Sequence, residues 1–299
     1  SAGDSDPNVV TRAKSGNLDY GYTKMVADVQ ALEGTPGITV TPIDVRYTRL
    51  FYLNKFDKKD GSPAPLADVR VRQALRYAID METICETLFQ GSAVPANALA
   101  PDANLKGGDL NDYNYNPEKA KELLAEANWD PNTVIKAVYY YTDQATVDLM
   151  TAVQAYLADV GIKMEFELVE GDLATILWTA PADQTNGPRA VDWDICYAAN
   201  AALSLHEYYD RYRTGSPTNS HTPEDAELNR LLDATNASAD VNAQNEAFKE
   251  LIKYENENLF TMALYYQPIF LITSDKIGDI QKGTPQFCIN WGIQNWNVQ

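Results

Sequence analysis

Asp192 and Asp194 flank Trp193, and two carboxylates this close are the residue types that hold a metal or divide acid and base work on a glycoside. On a strand the two share a face, but the spacing fixes no further acid beside them, so the pair alone is a weak catalytic candidate. His206 and His221 are the two histidines, and neither has the serine or cysteine context of a catalytic base. Cys85, Cys196 and Cys288 form no CxxC pair and no zinc spacing with them, and read as three small buried hydrophobes. No GxSxG, GxxxxGKS/T, HExxH or strand-borne GxGxxG occurs. The chain therefore reads as no enzyme, with no catalytic residue, no metal ligand set and no cofactor. One cationic cluster stands out: "PLADVRVRQALRYAID" (65–80) sets Arg70, Arg72 and Arg76 on one short helix in a chain of net charge −18.

The elements that would position these residues follow from periodicity. At 299 residues, with 45% apolar and 22% charged side chains, one or two folded domains are expected. The acidic balance repels phosphate backbones and excludes nucleic acid as a partner, and no apolar run approaches the length of a membrane span. The opening "SAGDSDPNVV" has neither the basic start nor the apolar stretch of a signal peptide. Asp68 caps a helix whose inner stripe is Val71, Ala74, Leu75, Ala78 and Ile79, with the arginines largely off it. Asp80 caps a second helix, stopped at Gly91, and residues 92–116 read as an irregular surface loop. Asn116 and Pro117 open a helix with Ala120, Leu123, Leu124 and Ala127 inside. A β-rich run at 134–142, a helix at 145–160 ended by Gly161, and an alternating strand from Ile162 make a βαβ unit with a right-handed crossover. A buried strand begins near 191, a helix near Ser204, and two more helices lie near 224–236 and 241–258. The sum is an α/β protein with a mixed sheet.

The order of these phrases resembles a known family. "FYLNKF", then "PLADVRVRQALRYAIDMETICETLFQGSAVPA", then "YNYNPEKAKELLAEANW", then "LADVGIKMEF" is similar to the family 5 extracellular solute-binding proteins of ABC importers, the peptide, nickel and oligosaccharide group. The resemblance extends over nearly the whole chain and matches the C-terminal part of longer family members. It implies an α/β fold, a periplasmic-binding-protein-like type II lobe with a mixed sheet and flanking helices. Residues 1–52 would be remnant lobe I strands and hinge, 53–266 lobe II, and 267–299 the return to lobe I and the tail. It implies a substrate-binding component that captures a small solute in a two-lobe cleft, an oligopeptide or a neutral ligand such as an oligosaccharide. The partner would be an ABC permease in the membrane, and the protein a monomer, held outside the cell as a surface lipoprotein or in the periplasm. A ligand-sensing or pheromone receptor on the same scaffold is the alternative, and a carboxylate hydrolase built on Asp192 and Asp194 comes last.

The resemblance also directs attention to "WDICYAANAALS". Peptide-binding relatives carry a phrase there whose aspartate pairs with the peptide's α-amino group. This chain offers Ala201, Ala202 and Leu203 instead, with Asn200 near the family's tryptophan, so a zwitterionic peptide would lack its charge-assisted partner. The ligand-binding residues implied are Asn200, Ala201 and Tyr197, with Tyr139 and Tyr141 at the neighbouring strand end stacking on a sugar or peptide face. Asn219 and His221 in "TNSHTPEDAEL" complete the set, and Asp225 reads as a helix cap.

Overall fold

The computed structural model of the chain describes residues 7–100, 109–200, 205–278 and 297–298. The first part runs α1 (Val9–Lys14), β1 (Tyr20–Thr23), α2 (Val26–Leu32), β2 (Ile38–Leu53), α3 (Val69–Ala78), α4 (Met81–Thr87) and β3 (Val94–Pro95). Then follow α5 (Pro117–Glu126), β4 (Val134–Tyr139), α6 (Gln144–Asp159), β5 (Lys163–Leu168), α7 (Leu173–Trp178) and β6 (Ile195–Asn200). The last are α8 (Leu205–Tyr209), α9 (Ala226–Ala234), α10 (Val241–Asn258), β7 (Thr261–Ser274), β8 (Ile277–Gly278) and β9 (Asn297–Val298).

The main sheet has the order β1-β7-β2-β6-β4-β5, with β3 added on β7. β4 lies parallel to both β5 and β6, whereas β2 pairs antiparallel with β6 and β7, so the sheet is mixed as expected. β2 and β7 are its long members, paired from Ile38↔Ser274 to Tyr52↔Thr261. A bulge between Arg49 and Leu50 breaks that register, setting Arg49 opposite Tyr265 and Leu50 opposite Ala263.

Alternation along the strands divides two cores. Phe51, Leu53, Ile135, Ala137, Ile195 and Tyr197 bury against α3–α6 on one face. Leu50, Tyr52, Val138, Cys196 and Ala198 bury against α7–α10 on the other. A small separate cluster of Val9, Ala13, Leu18, Leu32 and Ile272 sits at the far end of the long strands.

The capping logic is realised side chain by side chain. Asp68, Asp80, Asn116 and Asp225 accept from Arg70 N, Thr83 N, Lys119 N and Leu228 N at the starts of α3, α4, α5 and α9. Gly161 takes φ +87°, a left-handed turn that a residue with Cβ resists, and so returns α6 into β5.

Three readings are corrected. The segment after Gly91 is not a surface loop throughout: Ala93, Ala96, Ala98, Leu99, Ala100 and Tyr113 are buried, because β3 pairs with β7 and carbonyls 98 and 99 accept from Tyr266 and Thr48 hydroxyls. Residues 101–108 of that stretch lie outside the described residues. The strand expected from 191 begins only at Ile195, since Asp194 turns inward to an ion pair. Arg72 and Arg76, expected to serve surface or inter-helix pairing, are buried, their guanidinium groups closing over carbonyl oxygens of neighbouring segments.

Candidate ligand-binding site

The parallel strands β4, β5 and β6 end together at Tyr139, Leu168 and Asn200, and in open α/β sheets ligands gather outside such carboxyl ends. At this edge the chain places Tyr140 and Tyr141 just past β4, their hydroxyls 3.1 Å apart. Tyr141 meets Tyr197 of β6 edge to face, with ring centroids 5.7 Å apart and planes at 70°. Tyr197 is fully buried, and its hydroxyl lies 2.7 Å from that of Tyr265 on β7.

Arg49 of β2 completes the group. Its guanidinium carbon stands 4.5 Å from the centroid of Tyr141 and 6.0 Å from that of Tyr197, a cation over π faces. Nε donates to Gln267 Oε1 at 3.0 Å, and Gln267 Nε2 in turn donates to the carbonyl of Lys24. Two residues earlier on β2, Tyr47 carries the Lys24 ammonium 4.1 Å from its ring centre. Burial works against the charge on Arg49, but Tyr197, Tyr265, Tyr141 and Asp143 outweigh it and hold the pKa above its ordinary value. Burial raises the Tyr197 hydroxyl to about 12, with Arg49 opposing, so Tyr197 is a neutral phenol beside a fixed cation.

The residues expected to bind divide between this cluster and other surroundings. Tyr141 and Tyr197 are brought together. Tyr139 points into the α3–α6 core beside Phe166, at 6.1 Å between centroids. Asn200 ends β6 on the opposite face, its amide 3.4 Å from the carbonyl of Tyr208. Asn219 is buried and holds a turn, donating to the carbonyls of Tyr212 and Thr222 and accepting from Thr222 N. His221 is also fully buried, ringed by Tyr52 at 5.0 Å, Tyr212 at 5.9 Å and Trp193 at 6.4 Å. Burial first, then Lys55 and Arg211, push its pKa well below the usual value, so it is neutral. Ala201 lies outside the described residues, as do Ala202, Leu203 and Cys288. Cys85 and Cys196 are buried free thiols, and burial pushes the Cys85 thiol up to about 12.

Sequence reasoning missed Arg49, Gln267 and Tyr265. A signal was present for the first: Arg49 interrupts the apolar strand "TRLFYLN" on the face that Phe51 and Leu53 bury. The carboxylates Asp192 and Asp194 do not act as a pair. Asp194 accepts from Arg189 at 2.7 Å and from Lys136 N at 2.9 Å, while Asp192 is 79% exposed and pairs with Lys136 Nζ. Both lie before β6, at the end of the sheet away from the tyrosines. Among the described residues no group of three or more His, Cys, Asp or Glu side chains is arranged to hold a metal.

With the fold and this edge described, the family follows. The chain belongs to the bacterial extracellular solute-binding proteins, family 5, whose "Middle" model matches residues 3–222. It is 35% identical over 130 residues to heme-binding protein A of Haemophilus influenzae, a match spanning 42% of this chain and 22% of that one. It is 48% identical over 64 residues to the dipeptide-binding protein of Escherichia coli K12, spanning 21% of this chain and 12% of that one. The crystal structure of the ABC transporter substrate-binding protein CtaP of Listeria monocytogenes superposes with a TM-score of 0.81 at 16% identity, over 98% of this chain and 58% of CtaP. The fold is therefore that of the type II periplasmic binding proteins, and the chain spans less than two thirds of its structural relative.

Proposed function

We propose that the chain is the ligand-capturing part of the substrate-binding component of an ABC importer, taking a small solute at the tyrosine edge and delivering it to a membrane permease. The observation that carries this is the Arg49–Tyr141–Tyr197 cluster, an amphipathic group of one cation and aromatic rings at the carboxyl ends of β4 and β6 on a family 5 scaffold. It binds, and breaks no bond. Residues 53–266 act as lobe II, with 1–52 and 267–299 the crossings to lobe I. The separate cluster around Leu32 and Ile272 at the far end of β2 and β7 supports that division. The two long strands serve as hinge, and the solute drives closure only through contacts made in the closed form. The protein works outside the cytoplasm as a monomer, in the periplasm or tethered to the cell surface by lipid.

Calorimetry of the full-length gene product against peptide and oligosaccharide libraries tests this. A ligand is expected whose affinity falls about tenfold in Tyr141→Ala, the loss of one stacked ring. A ligand bound equally well by Tyr141→Ala overturns the placement of the site.

A further inference from the structure

Arg49 differs from the chain's buried arginines in what its donors meet. Arg72 makes four hydrogen bonds to the carbonyls of Leu66, Ala67 and Asn258. Arg189 makes four, to Phe56 O, Trp193 O and the Asp194 carboxylate. Arg49 makes one, through Nε to Gln267, and neither Nη group meets an acceptor among the described residues. No described carboxylate pairs with it. Asp143, the acid whose charge it feels, has both oxygens committed to Thr146 at the start of α6. Gln267 and the Tyr141 face hold the guanidinium along one edge and on one side, and its two Nη groups keep their hydrogen-bonding capacity uncommitted among the described residues.

A half-buried cation held by rings and an amide, with its fork open, is built to accept an anion. In a chain of net charge −18 it is also a local exception, because negative groups are abundant and no described carboxylate is bonded to it. Planar guanidinium matches a carboxylate two oxygens to two nitrogens, a pairing phosphate can also make, but the single cation balances the one charge of a carboxylate and not the nearly two of a phosphate. The tyrosine walls suit an apolar or flat frame behind the charged end.

We propose that Arg49 seats an anionic group of the solute, a small organic carboxylate held by the two Nη groups with its carbon frame along Tyr141. This rests on the reading that the solute enters at the tyrosine edge. It departs from a neutral ligand, and it makes Arg49 the residue that selects by charge.

The test uses side-chain NMR of arginine-labelled full-length gene product, with the Arg49 Nε–H signal identified by its loss in Arg49→Gln. Phenylacetate and its neutral amide, phenylacetamide, are titrated in parallel with phenyl phosphate. Phenylacetate is expected to move the Arg49 signal and to bind about tenfold or more tightly than the amide, a preference that disappears in Arg49→Gln and survives in part in Arg49→Lys. Equal binding of acid and amide at this signal overturns the charge selection while leaving the tyrosine site standing. Tighter binding of phenyl phosphate than phenylacetate overturns the carboxylate assignment. If neither acid nor amide moves the Arg49 signal, the site reading and the charge selection fall together. Thermal melting of Arg49→Gln within a few degrees of the parent excludes unfolding as the cause of lost binding.

Discussion

Arg189 and Arg49 carry the same group on two ends of one sheet, and their surroundings assign them opposite tasks. Arg189 lies before β6 with its side chain 3% exposed, and its donors close over two carbonyls and the equally buried Asp194. Arg49 lies at the other end with one amide bond and two rings. Burial of a charge is tolerated only when its donors are satisfied, so the first arrangement is scaffold by necessity. The second leaves hydrogen-bonding capacity on the side where the parallel strands end. The lesson is that an arginine's role is read from its uncommitted donors, not from its presence in an acidic chain.

The comparison breaks most visibly at the scaffold end. Arg189→Met would strand the Asp194 carboxylate in the interior and strip donors from the carbonyls of Phe56 and Trp193. A loss of about 3–5 kcal/mol is expected, the usual result of removing one partner of a buried pair. Urea unfolding at neutral pH measures it, and a loss below about 1 kcal/mol would place Arg189 in the same class as Arg49. Arg72→Met is the next largest. The stem is replaced in kind, but carbonyls at the ends of two segments lose their donors, for about 2–3 kcal/mol in the same assay.

Much of the scaffold end was legible in the sequence, because capping and apolar spacing are local. Asp68, Asp80, Asn116 and Asp225 act within three residues of themselves, and each caps as its spacing indicates. The family phrase in α3 identified the fold, and the resemblance directed attention to Tyr197 and to Tyr139 and Tyr141 at the neighbouring strand end. What could not be read were contacts set by sheet register. Arg49 meets Gln267 across 218 positions of sequence, and only the bulge opposite Leu50 aligns it with Tyr265. His221 shows the converse: a polar residue in a polar phrase, enclosed by Tyr52, Trp193 and Tyr212. The surface loop expected over 92–116 failed for a related reason, since small alanines bury without leaving a periodic stripe.

His221 offers the third way for an interior to treat a basic group, which is to keep it neutral. Its folded pKa is depressed by burial, then by Lys55 and Arg211, while the unfolded chain titrates near the ordinary 6.5. Below that value the unfolded state binds a proton that the folded state refuses, so this contribution to stability is lost as pH falls. Glu255 runs the other way. Burial raises its pKa to about 7 against bonds from Thr261, so its folded carboxyl keeps a proton that the unfolded chain releases, and stability from this group falls as pH rises from 4.5 towards 7. The difference between the parent and His221→Phe largely cancels the Glu255 slope. The variant is expected to gain on the order of 1–2 kcal/mol relative to the parent between pH 7 and pH 5. Parallel slopes in urea titrations at the two pH values would mean that His221 takes up a proton in place.

Arg49→Gln is the smallest change in stability and the sharpest test of the contrast. Nothing in the described structure depends on the Nη groups, and the amide of Gln267 retains its own bond to Lys24 O. The cation–π contact is lost, but a half-buried charge is lost with it, and these two terms oppose each other. A change below about 1 kcal/mol in either direction is therefore expected by urea unfolding, beside the larger losses at Arg72 and Arg189. A loss equal to that of Arg72→Met would show that the guanidinium braces β2 against β7 at the bulge, and the two ends of the sheet would then differ only in exposure. If stability holds while affinity for carboxylates collapses, the distinction between committed and uncommitted donors becomes one between folding and recognition.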